Sequence, residues 1–406
     1  MRTDYKWIEG GGVTSPRGWK AGAIDAGVKT YGPAPRLDLG ILAADGPCTV
    51  AGLTTRNLVY GAPVKVTRER VADGRARALI VNSGCSNVGM GPRGERDALR
   101  MTSLVAERLG IPADEVLVAS TGVIGRPLPL EKIEAAAPRI ALTDRGGADL
   151  ARAIMTTDTV PKSRALCFEA AGRTYTIGGT AKGSGMVHPD LATVLCFLTT
   201  DAPADPRWLG KILRAAADVS LNMIDVDMDT STSDTMLLFA SGFAGGKTLR
   251  ARHPAATAFA EALTALAVEL GKDLVRDGEG ARTLIEVEVQ GAASRTDARA
   301  AARTVASSPL VKTMVTGRDP NLGRVLMAVG RSGVRIDLDR ISVRIGEHLA
   351  FSHGSPTDLD LSVVSSAMDR ELVRLAIDLG LGAHNATAWG CDLTEDYVRI
   401  NADYTT

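Results

Sequence analysis

The chain has 406 residues, 45% hydrophobic and 23% charged, which is enough apolar material for a large core and more than one lobe. Lys plus Arg balances Asp plus Glu at 47 each, so no global field draws the protein to nucleic acid or to an anionic membrane. Five scattered cysteines (Cys48, Cys85, Cys167, Cys196, Cys391) without a CxxC pair argue against a disulfide framework or a structural zinc site. No apolar run has the length of a signal peptide or the ~18–20 residues of a membrane helix, so the expected compartment is the cytoplasm.

Residues 1–60 read as strands and turns, with LDLGILAAD (37–45) a mostly buried strand. RALIVNSG (77–84) is a second apolar strand running into a glycine turn. A helix over about 95–109 carries Leu99, Leu104, Val105 and Leu109 on one face and stops at Gly110 and Pro112. VLVAS (116–120) is a buried strand leading into TGVIG (121–125). Backbone N–H groups of such a glycine turn can point outward together, the arrangement an oxyanion needs, although a plain turn fits the pattern equally. A short helix near 149–155 precedes TTDTVPK (156–162), whose threonines suit a cap or turn. CFEAAGRTYTIGG (167–179) reads as a hairpin turning at Ala171–Gly172.

The stretch 177–200, IGGTAKGSGMVHPDLATVLCFLTT, passes from a glycine-rich half into an apolar half. Val194 to Leu198 form a short buried strand, and Thr193 stands where the loop gives way to it. A helix over about 208–220 follows. MIDVDMDTSTSDTMLLFASG (223–242) carries Asp225, Asp227, Asp229 and Asp234. An EF-hand would need a glycine at its sharp turn and a closing glutamate, both missing here, so hydrogen-bonded carboxylates beside an active site fit better. The helix over about 254–276 places Phe259, Leu263, Leu266 and Leu270 on one face. Ile285, Val287 and Val289 then alternate with Glu286, Glu288 and Gln290, a half-buried strand with its glutamates on a solvated face. Residues 295–330 read as a helix, the turn SSPLVK, a strand and a second helix after Pro320. Strands near 334–351, a helix over 366–379 and a terminal strand with a frayed tail complete the chain. The five histidines lack metal-ligand spacing, and His188 reads as a structural residue of its loop.

KGSGMVHPDLATVL (182–195) is very similar to the self-cleavage segment of the ornithine acetyltransferase family, the glutamate N-acetyltransferases of the cyclic arginine pathway. RNLVYGAPV, LIVNSG, STGVIG, TTDTVPK, DGEGA, SPLVKT, GRDPN and YVRINA also occur in that family's order, over nearly the whole chain. The resemblance implies an α/β fold, a two-lobed layered sandwich of sheets and helices, and self-cleavage at Ala192–Thr193. An α-chain (1–192) and a β-chain (193–406) would then stay associated, with a heterotetramer expected. Thr193 becomes the nucleophile, and its freed α-amine, titrating near about pH 8, serves as the base. The Thr121 hydroxyl and the Gly122 N–H form the oxyanion hole. Thr156 (or Thr157 beside it), Lys182, Glu279, Asn401 and Thr406 bind substrate, Lys182 pairing a carboxylate and Glu279 an amino group. The implied reaction moves acetyl from N-acetylornithine to glutamate through acetyl-Thr193, with no metal or organic cofactor and with acetyl-CoA as a further candidate donor. The chain departs from the family at Met228 (usually Gly), Ser233 (Asn), Leu322 (Trp) and 82–88, NSGCSNV for NSGNANA. Those departures leave three other readings open: a paralogue with another acyl and amine pair, an amidohydrolase or aminopeptidase on the related self-cleaving fold, and an uncleaved binding protein.

Overall fold

The computed structural model describes residues 3–30, 36–188 and 194–403. Among them, nine strands form one sheet, in the order Tyr5–Ile8, Lys162–Ala170, Arg173–Lys182, Leu195–Thr200, Thr235–Ala240, Leu39–Thr54, Arg75–Asn82, Val116–Ser120, with Trp19–Ile24 also paired to Leu39–Thr54. Successive side chains of a strand point to opposite faces, and here both faces are covered. Cys196 and Leu198 enter the largest core, while Leu195 and Phe197 enter another on the opposite face. Met236 and Leu238 against Leu237 and Phe239 on the neighbouring strand divide in the same way.

The second sheet runs Ser355–Pro356, His348–Ser352, Ser342–Ile345, Leu372–Asp378, Leu284–Ala292, His384–Cys391, Ile224–Asp225. Between the sheets lies the helix Ala256–Arg276, whose Phe259, Leu263, Leu266, Leu270 and Leu274 are fully buried at helical spacing. It packs on strands of both sheets, and the helix Pro206–Val219 packs beside it. Helix Arg295–Ala306 covers the far face of the second sheet, and Gly91–Leu109 covers part of the first.

The hairpin turns at Ala171 (φ +52°) and Gly172 (φ +72°) as expected, but its strands are longer, Lys162–Ala170 and Arg173–Lys182. Five expectations fail. The expected turn SSPLVK and the strand after it are replaced by a helix, Pro309–Thr316, with Pro309 at its start and Val311, Met314 and Val315 buried. Residues 334–341 lie outside the strands expected there, which cover only Ser342–Ile345 and His348–Ser352. The expected helix 366–379 is instead a short helix, Leu361–Ala367, and a strand, Leu372–Asp378. Val373, Leu375 and Ile377 there follow a two-residue period and pair in parallel with Leu284–Ala292. After the strand His384–Cys391 the described residues end not in a strand but in a helix, Glu395–Asp403. Glu286 is also not solvated: it is buried and accepts from Trp389 Nε1 at 2.8 Å and Arg374 Nε at 2.9 Å.

Candidate active site

At one end of the first sheet, Arg173–Lys182 finishes where Lys162–Ala170, Leu195–Thr200 and Thr235–Ala240 begin. A cavity of about 220 Å³ opens there, and Thr121, Gly122, Thr156, Thr157, Lys182, Glu279 and Asn401 all line it. Residues separated by up to 280 positions (401 − 121) thus meet at one place. Ala192, Thr193 and Thr406 lie outside the described residues. Val194, next in the chain, is buried, and its carbonyl accepts from the Thr235 N–H at 3.0 Å.

The Thr121–Gly122 turn is built on the preceding strand pair. The Thr121 N–H donates to the Asn82 carbonyl at 3.0 Å, and the Ser120 hydroxyl donates to Asn82 Oδ1 at 2.6 Å. Gly122 has φ +121°, and a Cβ there would stand 2.5 Å from the backbone carbon of Gly84. Only glycine combines that dihedral with so close an approach. The departures at 85–88 belong to this scaffold: the Ser86 hydroxyl and N–H both bond the Val123 carbonyl, and Cys85 Sγ meets the Arg126 carbonyl.

Lys182 reaches the cavity from the last residue of its strand, and its Nζ lies 3.3 Å from Thr121 Oγ1. Burial lowers its pKa, with Lys162 acting in the same direction; Asp158, Asp234 and Glu279 oppose the fall. Burial alone would raise the Asp158 carboxyl, yet Lys162, Lys182 and the Gly183 N–H hold it down at about 2. Thr157 shares a 2.7 Å hydroxyl contact with Ser184, so the TTD threonines stand against the central loop.

Glu279 sits across the cavity. Its N–H donates to the Ser184 carbonyl at 2.8 Å, and its carboxylate accepts from Asn401 Nδ2 at 2.7 Å. A Cβ on residue 185 would lie 2.5 Å from that carboxyl, which explains the glycine. The helix Glu395–Asp403 presents Tyr397 and Asn401 to the cavity from positions one turn apart. Burial raises the Tyr397 pKa, helped by the neighbouring Asp227, Glu279 and Asp229.

The acidic segment locks the central loop, as its hydrogen-bonding pattern suggested. Asp227 accepts from the N–H groups of Met186 (2.6 Å) and Val187 (2.8 Å), and burial pushes its carboxyl up. Asp225 takes His188 Nδ1 at 2.8 Å and pairs with Lys312 at 2.9 Å. These carboxylates hold chain segments together, and His188 is a structural pin of its loop. Sequence reasoning did not single out Tyr397, Ile124, Met186 or Ser231 as cavity residues. The signal for Tyr397 was its place four residues before Asn401, hidden while the segment read as a strand.

Of the departures, Ser233 lines the cavity. Met228 is exposed at φ +66°, in the left-handed region where glycine is at ease. Leu322 opens the helix Leu322–Gly330 and packs against the largest core. A larger groove of about 860 Å³ lies beside Trp208 and Ile212, with Asp4 and Glu261 in its lining.

Comparison with known proteins agrees over the full length. Residues 20–406 match the profile of the ArgJ family. A curated protein of Dehalococcoides mccartyi (strain CBDB1), named arginine biosynthesis bifunctional protein ArgJ, is 45% identical over 406 residues and covers 100% of both chains. The protein of that name from Symbiobacterium thermophilum is 48% identical over 403 residues, covering 99% of this chain and 100% of its own. A crystal structure of arginine biosynthesis bifunctional protein argJ from Bacillus halodurans is 40% identical, with a TM-score of 0.50. That match covers 51% of this chain and 97% of the solved one.

Proposed function

The chain belongs to the ArgJ family, and from that premise we propose that it transfers acetyl from N-acetylornithine to glutamate through an acetyl-Thr193 intermediate. It is an acetyltransferase of arginine biosynthesis. The observation that carries the finer reading is the single cavity shared by an oxyanion-type turn, Thr121–Gly122, and two opposite charges, Lys182 and Glu279. An α-amino acid offers a carboxylate and an amine, and a cation facing an anion is the pairing that sorts them.

Thr193 Oγ attacks the acetyl carbonyl while its own α-amine, released by cleavage at Ala192–Thr193, takes the hydroxyl proton. Charge develops on the acetyl oxygen, where the Thr121 hydroxyl and Gly122 N–H donate. Collapse returns the proton to the leaving ornithine amine and leaves an ester on Thr193. The glutamate amine attacks that ester, and the same groups act in reverse. Lys182 holds the substrate carboxylate and Glu279 its amine, with Thr156, Thr157, Asn401 and Thr406 completing the grip. A solved relative whose whole chain corresponds to about half of this one is what a precursor cut near its middle gives. The fragments 1–192 and 193–406 form a cytoplasmic heterotetramer in this reading.

Mass spectrometry after incubation with N-acetylornithine tests the proposal. The fragment beginning at Thr193 should gain the mass of one acetyl group and lose it when glutamate, but not buffer, is added. Loss in buffer alone at the same rate favours an amidohydrolase, and an uncut chain removes Thr193 from the chemistry. Acetyl-CoA in place of N-acetylornithine tests the second donor.

A further inference from the structure

Lys182 makes a contact that substrate binding does not require. Its Nζ lies 3.3 Å from Thr121 Oγ1, and an ammonium donates hydrogen bonds but accepts none. The Thr121 oxygen is therefore the acceptor, and its single proton must point elsewhere. The cavity is what remains on that side.

Behind Lys182 stands a buried charge cluster outside the cavity lining. Asp158 Oδ1 accepts from Lys162 Nζ at 2.5 Å and from the N–H of Gly183, next after Lys182, at 2.7 Å. Its other oxygen accepts from the Thr156 N–H at 2.9 Å. Lys162 also bonds Asp277 at 2.5 Å, and Asp277 accepts from the Thr159 N–H at 3.0 Å. The side chains of Lys162, Asp158 and Asp277 are 1%, 0% and 7% exposed, so water screens none of this. Two carboxylates, Asp158 and Asp277, flank the Lys162 ammonium, and the charge of Asp158 also acts on Lys182.

We propose that Asp158 is a positioning residue for the oxyanion hole: by fixing Gly183 and holding the charge on Lys182, it makes Lys182 donate to Thr121 and commits the Thr121 proton to the acyl oxygen. The inference rests on the reading of Thr121 as an oxyanion donor. No proton changes hands in this step. An uncharged Lys182 would instead accept from the Thr121 hydroxyl and turn its proton away from the substrate. Burial, the largest influence on Lys182, disfavours its charged form together with Lys162 and Lys29, while Asp158, Asp234 and Glu279 favour it.

The test is the pH dependence of kcat and KM for the cleaved enzyme with N-acetylornithine and glutamate. Wild-type kcat should fall on the alkaline side as Lys182 loses its proton. Thr121→Ala should lose that alkaline limb in kcat while keeping the alkaline rise in KM, since Lys182 still binds the carboxylate. Asp158→Asn should move the kcat limb to lower pH and reduce kcat about ten-fold or more near neutrality. In the Thr121→Ala background the same change should cost less than about two-fold, because coupled residues do not add. An alkaline kcat limb identical in wild type and Thr121→Ala overturns the proposal, and so do fully additive losses. The first comparison stands even if Asp158→Asn does not fold. A wild-type enzyme that transfers no acetyl from N-acetylornithine overturns the underlying reading, and the inference with it, before any variant is compared.

Discussion

The Glu279 carboxylate occupies its place because residue 185 has no side chain. In Gly185→Ala the new methyl meets the far end of a flexible side chain, so the carboxylate moves while the backbone stays. The Michaelis constant for N-acetylornithine should then rise about ten-fold, as for weakening one charge-assisted contact, with self-cleavage and melting temperature nearly unchanged. Glu279→Gln keeps the shape, removes the charge and should raise the same constant as much or more. Steady-state kinetics and a denaturing gel on both variants decide it; unaltered kinetics in cleaved Glu279→Gln would take the amine contact away from that residue. Thr121→Ala, which removes one proposed oxyanion donor, should lower kcat by ~10²-fold with little change in KM. Gly122 is proposed to donate through its backbone, so Gly122→Ala acts by a different route: its methyl meets the Gly84 backbone at 2.5 Å. That variant should lose both turnover and thermal stability.

Loop 156–160 and the strand Lys162–Ala170 are joined at Lys162, where Asp158 and Asp277 converge. With the Asp158 carboxyl at about 2 against an ordinary 3.8, its stabilisation is fully present above about pH 4 and is lost as pH falls toward 2. The shift corresponds to roughly 2 kcal/mol. Melting temperatures at about pH 5 and pH 3 should therefore fall more steeply for wild type than for Asp158→Asn; parallel slopes would show that this carboxylate does not set acid stability. TTDTVPK was visible in the sequence as a threonine-rich piece, but the roles of its Asp158 and Lys162 were not, because their partners are 25 and 115 residues away (Gly183 and Asp277). Elements with one clear period were legible, such as Ala256–Arg276 and the Ala171–Gly172 hairpin. Leu372–Asp378 misled because a helical spacing can be drawn through its leucines and valine, and only the parallel partner Leu284–Ala292 selects the strand. Glu279 and Asn401 were legible through a resemblance, and their closeness was not.

At the scale of the molecule, the strand Leu195–Thr200 lies between Arg173–Lys182 and Thr235–Ala240, with all six residues buried. The proposed fragments 1–192 and 193–406 would therefore share one sheet, and cleavage between them should leave them inseparable in native size-exclusion chromatography, parting only in denaturant. Two peaks under native conditions would contradict this. Thr193→Ala should remain one chain, and a fully cleaved Thr193→Ala would place the cut elsewhere. Phe197→Ala hollows the core on one face of the strand and should destabilise by about 3–5 kcal/mol, slowing the appearance of both bands on a gel. The loop proposed to break is held by Asp227 and by Asp225 through His188, both contributed from beyond the strand. The proposed cut thus belongs late in the life of the chain, after distant segments have found each other. If that cut frees the nucleophile, a copy that misfolds never acquires it, and activity itself certifies that assembly was completed.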